Sequence, residues 1–263
     1  MSSIAYLAAF ALALTMLATG LGFRGRDLLR IGKLPGATVL GLGLQVLLLP
    51  MATALLVKAV LPGTNEGFGL ILASLAPMSA SSYVFVGLGG GNTGLARTLT
   101  LCSSFAVLVV IAALKLDDVL FGIWPLLILA YTLPLLLGMA LQHLNSGFAI
   151  MLERRMTVGA SVLTGLVALA TLWQGLAWGH VTLFMLALVI AGFAGLFGWG
   201  AGRMLGSGKG EAIGLSLSIR NFALPLAICL IGCDVSVAVA PVLYAIAMYL
   251  VAFALIVMWR HVR

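Results

Sequence analysis

The sequence predicts an all-α, polytopic membrane protein with nine transmembrane helices. Of its 263 residues, 63% are hydrophobic and 8% are charged, and the mean hydropathy is +1.22. A soluble domain carries about a quarter of its residues as Asp, Glu, Lys or Arg, so this chain cannot cover a surface exposed to water. Continuous apolar runs favour helices over a β-barrel, because lipid offers the backbone no hydrogen-bond partners.

Nine runs are long enough to cross a bilayer, which takes about 20 apolar residues per helix. The only charged residue that we find inside them is Arg220. No linker or soluble domain interrupts the pattern, so we expect one membrane domain over residues 1–263. The runs are Ile4–Phe23, Ala37–Val57, Gly67–Gly89, Thr98–Leu114, Val119–Leu141, Met156–Trp173, Val181–Gly202, Ala212–Gly232 and Val235–Trp259.

The charged residues between the runs predict the orientation in the membrane. Basic residues collect on one side, which the positive-inside rule assigns to the cytoplasm. We therefore expect the N-terminus outside and the C-terminus in the cytoplasm, in the inner (plasma) membrane of a bacterium. The net charge of +7 then marks a membrane face and does not indicate nucleic-acid binding. The basic residues on the predicted cytoplasmic side are Arg24, Arg26, Arg30, Lys33, Arg97, Arg154, Arg155, Arg203, Lys209, Arg260 and Arg263.

Two of the runs are interrupted by polar residues and proline. The third reads GLILASLAPMSASSYVFVGLGGGN, with Pro77 followed by Ser79, Ser81 and Ser82. Proline removes a backbone donor, and serine can bond to the carbonyls that it frees. The eighth reads EAIGLSLSIRNFALPLAICLIG, and its polar residues before the proline are Ser216, Ser218, Arg220 and Asn221.

Paired broken helices in corresponding positions indicate a secondary transporter built from inverted repeats. Here the repeats would be residues 1–115 and 116–263, approximately, with the site where the breaks meet. Proline and serine also occur in membrane helices that are merely kinked. The occurrence of two such segments, one of them with an arginine, favours the transporter.

Arg220 is the most informative residue of the sequence. A guanidinium keeps its charge in proteins, so at this depth it needs an acceptor or a water-filled cavity. No acidic residue lies in the apolar runs to pair with it. We therefore expect an anionic ligand to supply the missing charge, although the carbonyls of a broken helix are an alternative. Ser216 lies four residues earlier, on the same helical face as Arg220, so we expect both side chains to address one cavity.

The chain resembles the bile acid:sodium symporter family in three stretches. These are LATGLGFRGRDLLRIGKLPGATVLGLGLQVLLLPMATALL, PMSASSYVFVGLGGGNTGLARTLTLCSS and SLSIRNFALPLAICL. The resemblance implies a panel domain and a core domain, with two broken helices crossing in the core, and transport of organic anions by alternating access. It suggests a nine-helix member. The residues expected to contact a small carboxylate or sulfonate are Arg220, Asn221, Ser79, Ser81, Ser82, Tyr83 and Ser218.

The resemblance also implies where sodium binds in relatives. The family's sodium ligands fall on Gln45, Ser82 and Thr100, but its Glu falls on Ser216 and its Gln on Arg220. The central carboxylate is thus missing, and the guanidinium supplies the charge of +1 that two Na⁺ ions and one carboxylate leave in relatives. We expect Na⁺ coupling to be absent, or weak through a residual site of Gln45, Ser82, Thr100 and Ser216, and we expect no other cofactor and no transition metal.

Three other functions are alternatives. An anion channel could also use an arginine in its pore. An arsenite permease of the related type would need a cysteine beside the first break, and PMSASSYVF contains none. An intramembrane enzyme would need a general base beside Ser82 or Ser216, and the runs offer no such partner. The oligomeric state and the size of the substrate do not follow from the sequence.

Overall fold

The computed structural model describes residues 3–113, 123–175 and 180–261, apart from the side chains of residues 26 and 28. These residues form helices joined by short turns. In chain order the helices are α1 (Ser3–Gly22), α2 (Gly25–Lys33), α3 (Pro35–Val60), α4 (Asn65–Leu75), α5 (Ser82–Leu88), α6 (Thr93–Ala113), α7 (Ile123–Leu144), α8 (Ser146–Gly175), α9 (His180–Arg203), α10 (Lys209–Ser218), α11 (Ala223–Gly232) and α12 (Val235–His261).

Within the described residues, seven helices are long and apolar enough to cross a membrane: α1, α3, α6, α7, α8, α9 and α12. The remaining apolar sequence is in two interrupted segments. The first broken segment is α4 with α5, separated by residues 76–81, and the second is α10 with α11, separated by residues 219–222. The chain is therefore an integral, multi-pass membrane protein, and both interruptions lie where the sequence predicts them.

Two long helices contain a wider turn just before a proline. The π-helical stretch Leu44–Leu48 precedes Pro50 in α3, and Leu127–Thr132 precedes Pro134 in α7. Because proline has no N–H and clashes with the preceding turn, a locally widened helix accommodates it without ending.

Helix α8 corrects the predicted sixth span, Met156–Trp173. It begins ten residues earlier, where the Oδ1 atom of Asn145 accepts a hydrogen bond from the N–H of Phe148 at 3.0 Å. The charged residues 153–155 are therefore inside the helix and not in a loop. Arg220 remains the one charged residue of the nine predicted runs, but α8 carries further charged residues before its run begins. Residue 114 of the fourth predicted span and residues 119–122 of the fifth lie outside the described residues.

The basic segment after α1 is also helical, although the sequence suggests a loop. In α2 the carboxylate of Asp27 accepts from the backbone of Arg24 at 3.0 Å and pairs with Arg30 at 3.1 Å. An acid in the first turn and bases in the last turn complement the helix dipole. These contacts make α2 a short amphipathic helix at the predicted cytoplasmic face.

The helices pack around two buried apolar clusters. One is built mainly by α3, α6, α9, α10 and α12, and the other mainly by α1, α7, α11 and parts of α4, α6 and α12. Helix α1 lies against α7 and α8. Gly20 and Gly138 allow the closest approach, since a Cβ atom at Gly20 would collide with the carbonyl oxygen of Leu135. Such small residues let membrane helices pack backbone to backbone.

Candidate functional site

The two broken segments meet at their breaks. The main chains of Met78 and Arg220 pair as an isolated antiparallel bridge. The N–H of Ser79 donates to the carbonyl of Ile219 at 3.1 Å, and the N–H of Asn221 donates to the carbonyl of Pro77 at 2.9 Å. Backbone groups that leave their helices thus satisfy one another, which lipid could not do.

Proline sets both breaks by local geometry. Helix α4 ends at Leu75, two residues before Pro77, and proline disfavours a helical residue immediately before it. Pro225 lies in the first turn of α11, where the missing N–H has no helical partner to lose. Residues 219–222 therefore form the non-helical break, and α11 begins two residues before Pro225, where proline does not disrupt the helix.

Arg220 is completely buried at this crossing. Its Nη1 atom donates to the carbonyl of Ala76 at 2.9 Å, and its backbone N–H points at the sulfur of Met248 at 3.2 Å. The hydroxyl of Tyr244 lies close enough to this guanidinium to interact with it, although Nε and Nη2 of Arg220 lack a partner in good hydrogen-bond geometry among the described residues. In this conformation the guanidinium is held by a carbonyl of the other broken segment.

The four residues of the expected sodium site are all buried around the same crossing. Gln45 donates to the carbonyl of Ala76 at 3.4 Å, which Arg220 also contacts. The hydroxyl of Ser216 donates to that of Ser82 at 3.4 Å. The hydroxyl of Thr100 lies 3.4 Å from the carbonyl of Ser79. The structure therefore brings these side chains to the breaks from α3, α5, α6 and α10.

The expectation that Ser216 and Arg220 share one helical face is wrong. Helix α10 ends at Ser218, so the 3.6-residue period does not extend to Arg220. Ser216 faces the first broken segment, and the hydroxyl of Ser218 donates to the carbonyl of Ala191 on α9 at 3.1 Å. Ser218 thus holds two helices together in this structure.

A cavity of about 330 Å³ opens beside the crossing, between the breaks and helices α1 and α8. Five residues predicted for ligand or sodium binding line it: Ser79, Ser81, Tyr83, Thr100 and Asn221. Arg220, Ser82 and Ser218 are fully buried and do not line it. The cavity therefore reaches the polar residues of both breaks but not the guanidinium between them.

The start of α11 forms one wall of this cavity, through Asn221 and Phe222, which precede the helix, and Ala223, its first residue. The Oδ1 atom of Asn221 accepts from the N–H of Ala223 at 3.3 Å. The amino-terminal end of a helix carries a partial positive charge and unpaired N–H groups. This wall is thus electrostatically suited to an anionic group.

The cavity wall also contains a pair of charged residues around Tyr83. The hydroxyl of Tyr83 donates to Oε1 of Glu153 at 3.1 Å, and the guanidinium carbon of Arg97 lies 4.5 Å from the centre of its ring. Glu153 is on α8, Arg97 is on α6 and Tyr83 is on α5. The contact therefore joins α8, which packs with α1, to the crossing.

Sequence reasoning did not select Arg97 or Glu153 as site residues. The sequence predicts Arg97 on the cytoplasmic side, and Glu153 falls between the fifth and sixth apolar runs, so neither is expected to face a cavity. The available signal is the helical spacing of Glu153, Thr157, Ala160 and Thr164, which places three polar side chains on one face of the helix. All four of these residues line the cavity.

Comparison with known proteins places the chain in a family. The model of the sodium bile acid symporter family matches residues 9–176, which is more than half of the sequence. The chain belongs to this family. It is therefore a membrane transporter. Members of the family are transporters and not enzymes. No significant match was found among curated proteins.

The matched residues of this sodium bile acid symporter family member include the first broken segment, Tyr83, Arg97 and Glu153, and end before the second broken segment. Arg220 and Asn221 lie outside the matched residues, and they belong to the site because they contact residues of the first broken segment. The bridge from Arg220 to Met78 is the most direct of these contacts. Among the residues that the structure describes, no group of three His, Cys, Asp or Glu side chains is placed to hold a metal ion.

Proposed function

We propose that the protein moves a small organic anion, a carboxylate or a sulfonate, across the membrane by alternating access. The observation that carries the proposal is the cavity at the crossing of the two broken segments, with Asn221 and the first turn of α11 in its wall. Transporters with discontinuous helices bind anionic groups at such half-helix ends. A volume of about 330 Å³ lies at the lower end of the range for small-molecule sites and favours a small substrate.

The position of the cavity supports an inward-facing conformation. Its lining includes Gly22 at the end of α1, Phe23 directly after it, and Glu153 in the first third of α8. In the predicted orientation these residues belong to the cytoplasmic half of the membrane, next to the basic segment α2. Opening to the other side then requires α1, α7 and α8 to move against the crossing.

We further propose that Arg220 takes the electrostatic role of bound sodium. Its guanidinium bonds to Ala76, a carbonyl freed by the first break, and Gln45 donates to the same oxygen. Freed carbonyls at a helix break are what a sodium ion would otherwise coordinate. A fixed cation behind the cavity would attract an anion without consuming a sodium gradient.

Proteoliposomes containing the purified protein test the proposal. A thermal-shift screen of carboxylates and sulfonates identifies a ligand, because a compound that binds only the folded state stabilises it. We expect saturable uptake and counterflow of that compound, with similar rates in Na⁺ and K⁺ buffers. Conductance without saturation would establish a channel instead, and a steep dependence on a Na⁺ gradient would refute the role of Arg220.

A further inference from the structure

The cavity holds two opposite charges that do not pair with each other. Arg97 lies over the face of the Tyr83 ring, and Glu153 accepts the hydrogen bond of the Tyr83 hydroxyl. Both charged side chains line the cavity, and both are half-buried. The side chain of Tyr83 thus lies between the cation of Arg97 and the anion of Glu153, and both charges face the same cavity.

Neither charge forms a salt bridge with another side chain that the structure describes. The two salt bridges among the described residues join Arg30 to Asp27 and Arg203 to Glu211. A partly desolvated carboxylate without a counter-ion is costly, and that cost is recovered when a cation arrives. The cavity wall therefore offers separate sites for a negative and a positive group.

Helix α1 leaves room for the carboxylate of Glu153. Gly22 faces it, and a Cβ atom at Gly22 would lie 2.9 Å from Oε1. Tyr83 occupies the same oxygen as a neutral donor, so it orients the carboxylate without neutralising it. Glu153 is thus held at the cavity surface by a neutral donor on one side and faces the bare backbone of Gly22 on the other.

We propose that the substrate is a zwitterion, whose ammonium group binds Glu153 while its carboxylate or sulfonate lies toward Arg97 and the first turn of α11. This inference rests on the proposed function and narrows its substrate class. A simple anion would fill the positive part of the cavity and leave Glu153 without a counter-ion. An added ammonium group satisfies both parts at once.

Matched pairs of compounds that differ by the ammonium group test this inference. The probes are alanine with propionate, 4-aminobutyrate with butyrate, taurine with ethanesulfonate, and phenylalanine with 3-phenylpropionate. Binding of each is measured by thermal shift and by calorimetry on the purified full-length protein. We expect the ammonium-bearing member of at least one pair to bind about tenfold more tightly than its partner, as for one charged contact in a partly exposed site.

Three variants locate the effect. Glu153→Gln keeps the shape of the side chain and should abolish the preference for the zwitterion, while the simple anion binds at least as tightly because a negative charge is gone from the cavity. Tyr83→Phe keeps the charge of Glu153 but removes the donor that orients its carboxylate, so it should reduce the preference without abolishing it. Glu66→Gln removes the same charge at the amino-terminal end of α4, outside the cavity, and should have no effect.

The outcomes separate the two proposals. If simple anions bind as tightly as or more tightly than their ammonium-bearing partners, or if Glu153→Gln retains the preference, the substrate is not a zwitterion and the proposed function still stands. If no member of any pair binds, the proposal of a small organic acid as substrate fails together with this inference.

Discussion

The main chains of Met78 and Arg220 pair as an antiparallel bridge, and this pairing places the two helix breaks against each other. As a result, the guanidinium of Arg220 reaches the carbonyl of Ala76, and Asn221 is left at the cavity wall. In this conformation Arg220 therefore holds the two broken segments together, while its neighbour Asn221 lines the cavity in which a ligand fits. Four predictions test these two roles, the packing of α1 and the orientation in the membrane.

The first prediction concerns sodium coupling. The double substitution Ser216→Glu with Arg220→Gln restores the residues that the family resemblance implies at these positions. We expect uptake by this variant to depend on Na⁺, by about tenfold over K⁺ buffer, a typical size for coupling between two bound species. Proteoliposome uptake measures it.

Arg220→Gln alone is the matched control for this experiment. It removes the fixed cation without supplying a carboxylate, so we expect slow transport in either salt. A correctly folded double variant whose uptake ignores Na⁺, as judged by a monodisperse elution profile and unchanged rates, would show that Arg220 does not stand in for sodium.

The second prediction separates the hydrogen bond that Asn221 makes at the start of α11 from its place in the cavity. Asn221→Ala loses the bond from the N–H of Ala223, and Asn92→Ala loses a bond from the N–H of Leu95 at the start of α6. Each loss should cost about 1 kcal/mol of stability. Because only Asn221 lines the cavity, only its substitution should also raise the KM for the substrate. Equal KM values in the two variants would remove Asn221 from the binding site.

The third prediction concerns the contact between α1 and α7. Gly20→Ala places a methyl group against the carbonyl of Leu135 and should lower stability by about 1 to 3 kcal/mol through overpacking. Gly43→Ala, in α3, meets no neighbouring atom within 4 Å and should be neutral or slightly stabilising, since alanine favours helices. Apparent Tm values in detergent measure both changes. A Gly20→Ala protein as stable as Gly43→Ala would contradict the close approach.

The fourth prediction tests the orientation in the membrane. Cys233 lies between α11 and α12, on the side predicted to face outward. Burial, and then the carboxylate of Asp234, raises the pKa of its thiol. Because maleimides react with the thiolate, labelling should be slow near neutral pH and should accelerate as the pH rises. In a variant carrying Cys102→Ala and Cys229→Ala, an impermeant maleimide should label Cys233 in intact cells.

Ser207→Cys provides the control from the other side. Residue 207 is exposed between α9 and α10, on the predicted cytoplasmic face. In a background without the three native cysteines it should react only after the cells are permeabilised. The opposite pattern at the two positions would invert the predicted orientation.

Apolar length and proline position alone determined most of the membrane architecture. Lipid requires each spanning backbone segment to satisfy its own hydrogen bonds, so long apolar runs become helices wherever they occur. Pro77 and Pro225 mark the breaks for an equally local reason, since proline acts on its own turn. Both effects depend on neighbouring residues in sequence, and the sequence therefore predicts them correctly.

The partners across the breaks depend on the tertiary structure. Nothing near Arg220 in sequence specifies Ala76 as its acceptor, and nothing near Glu153 specifies Tyr83. By sequence alone Glu153 falls between two apolar runs, where a charged side chain is usually solvated. In the folded protein α8 continues through it, and packing against Gly22 of α1 turns that carboxylate toward the cavity. Which charges are buried, and what they face, follows from the assembly of distant helices and so was decided only by the fold.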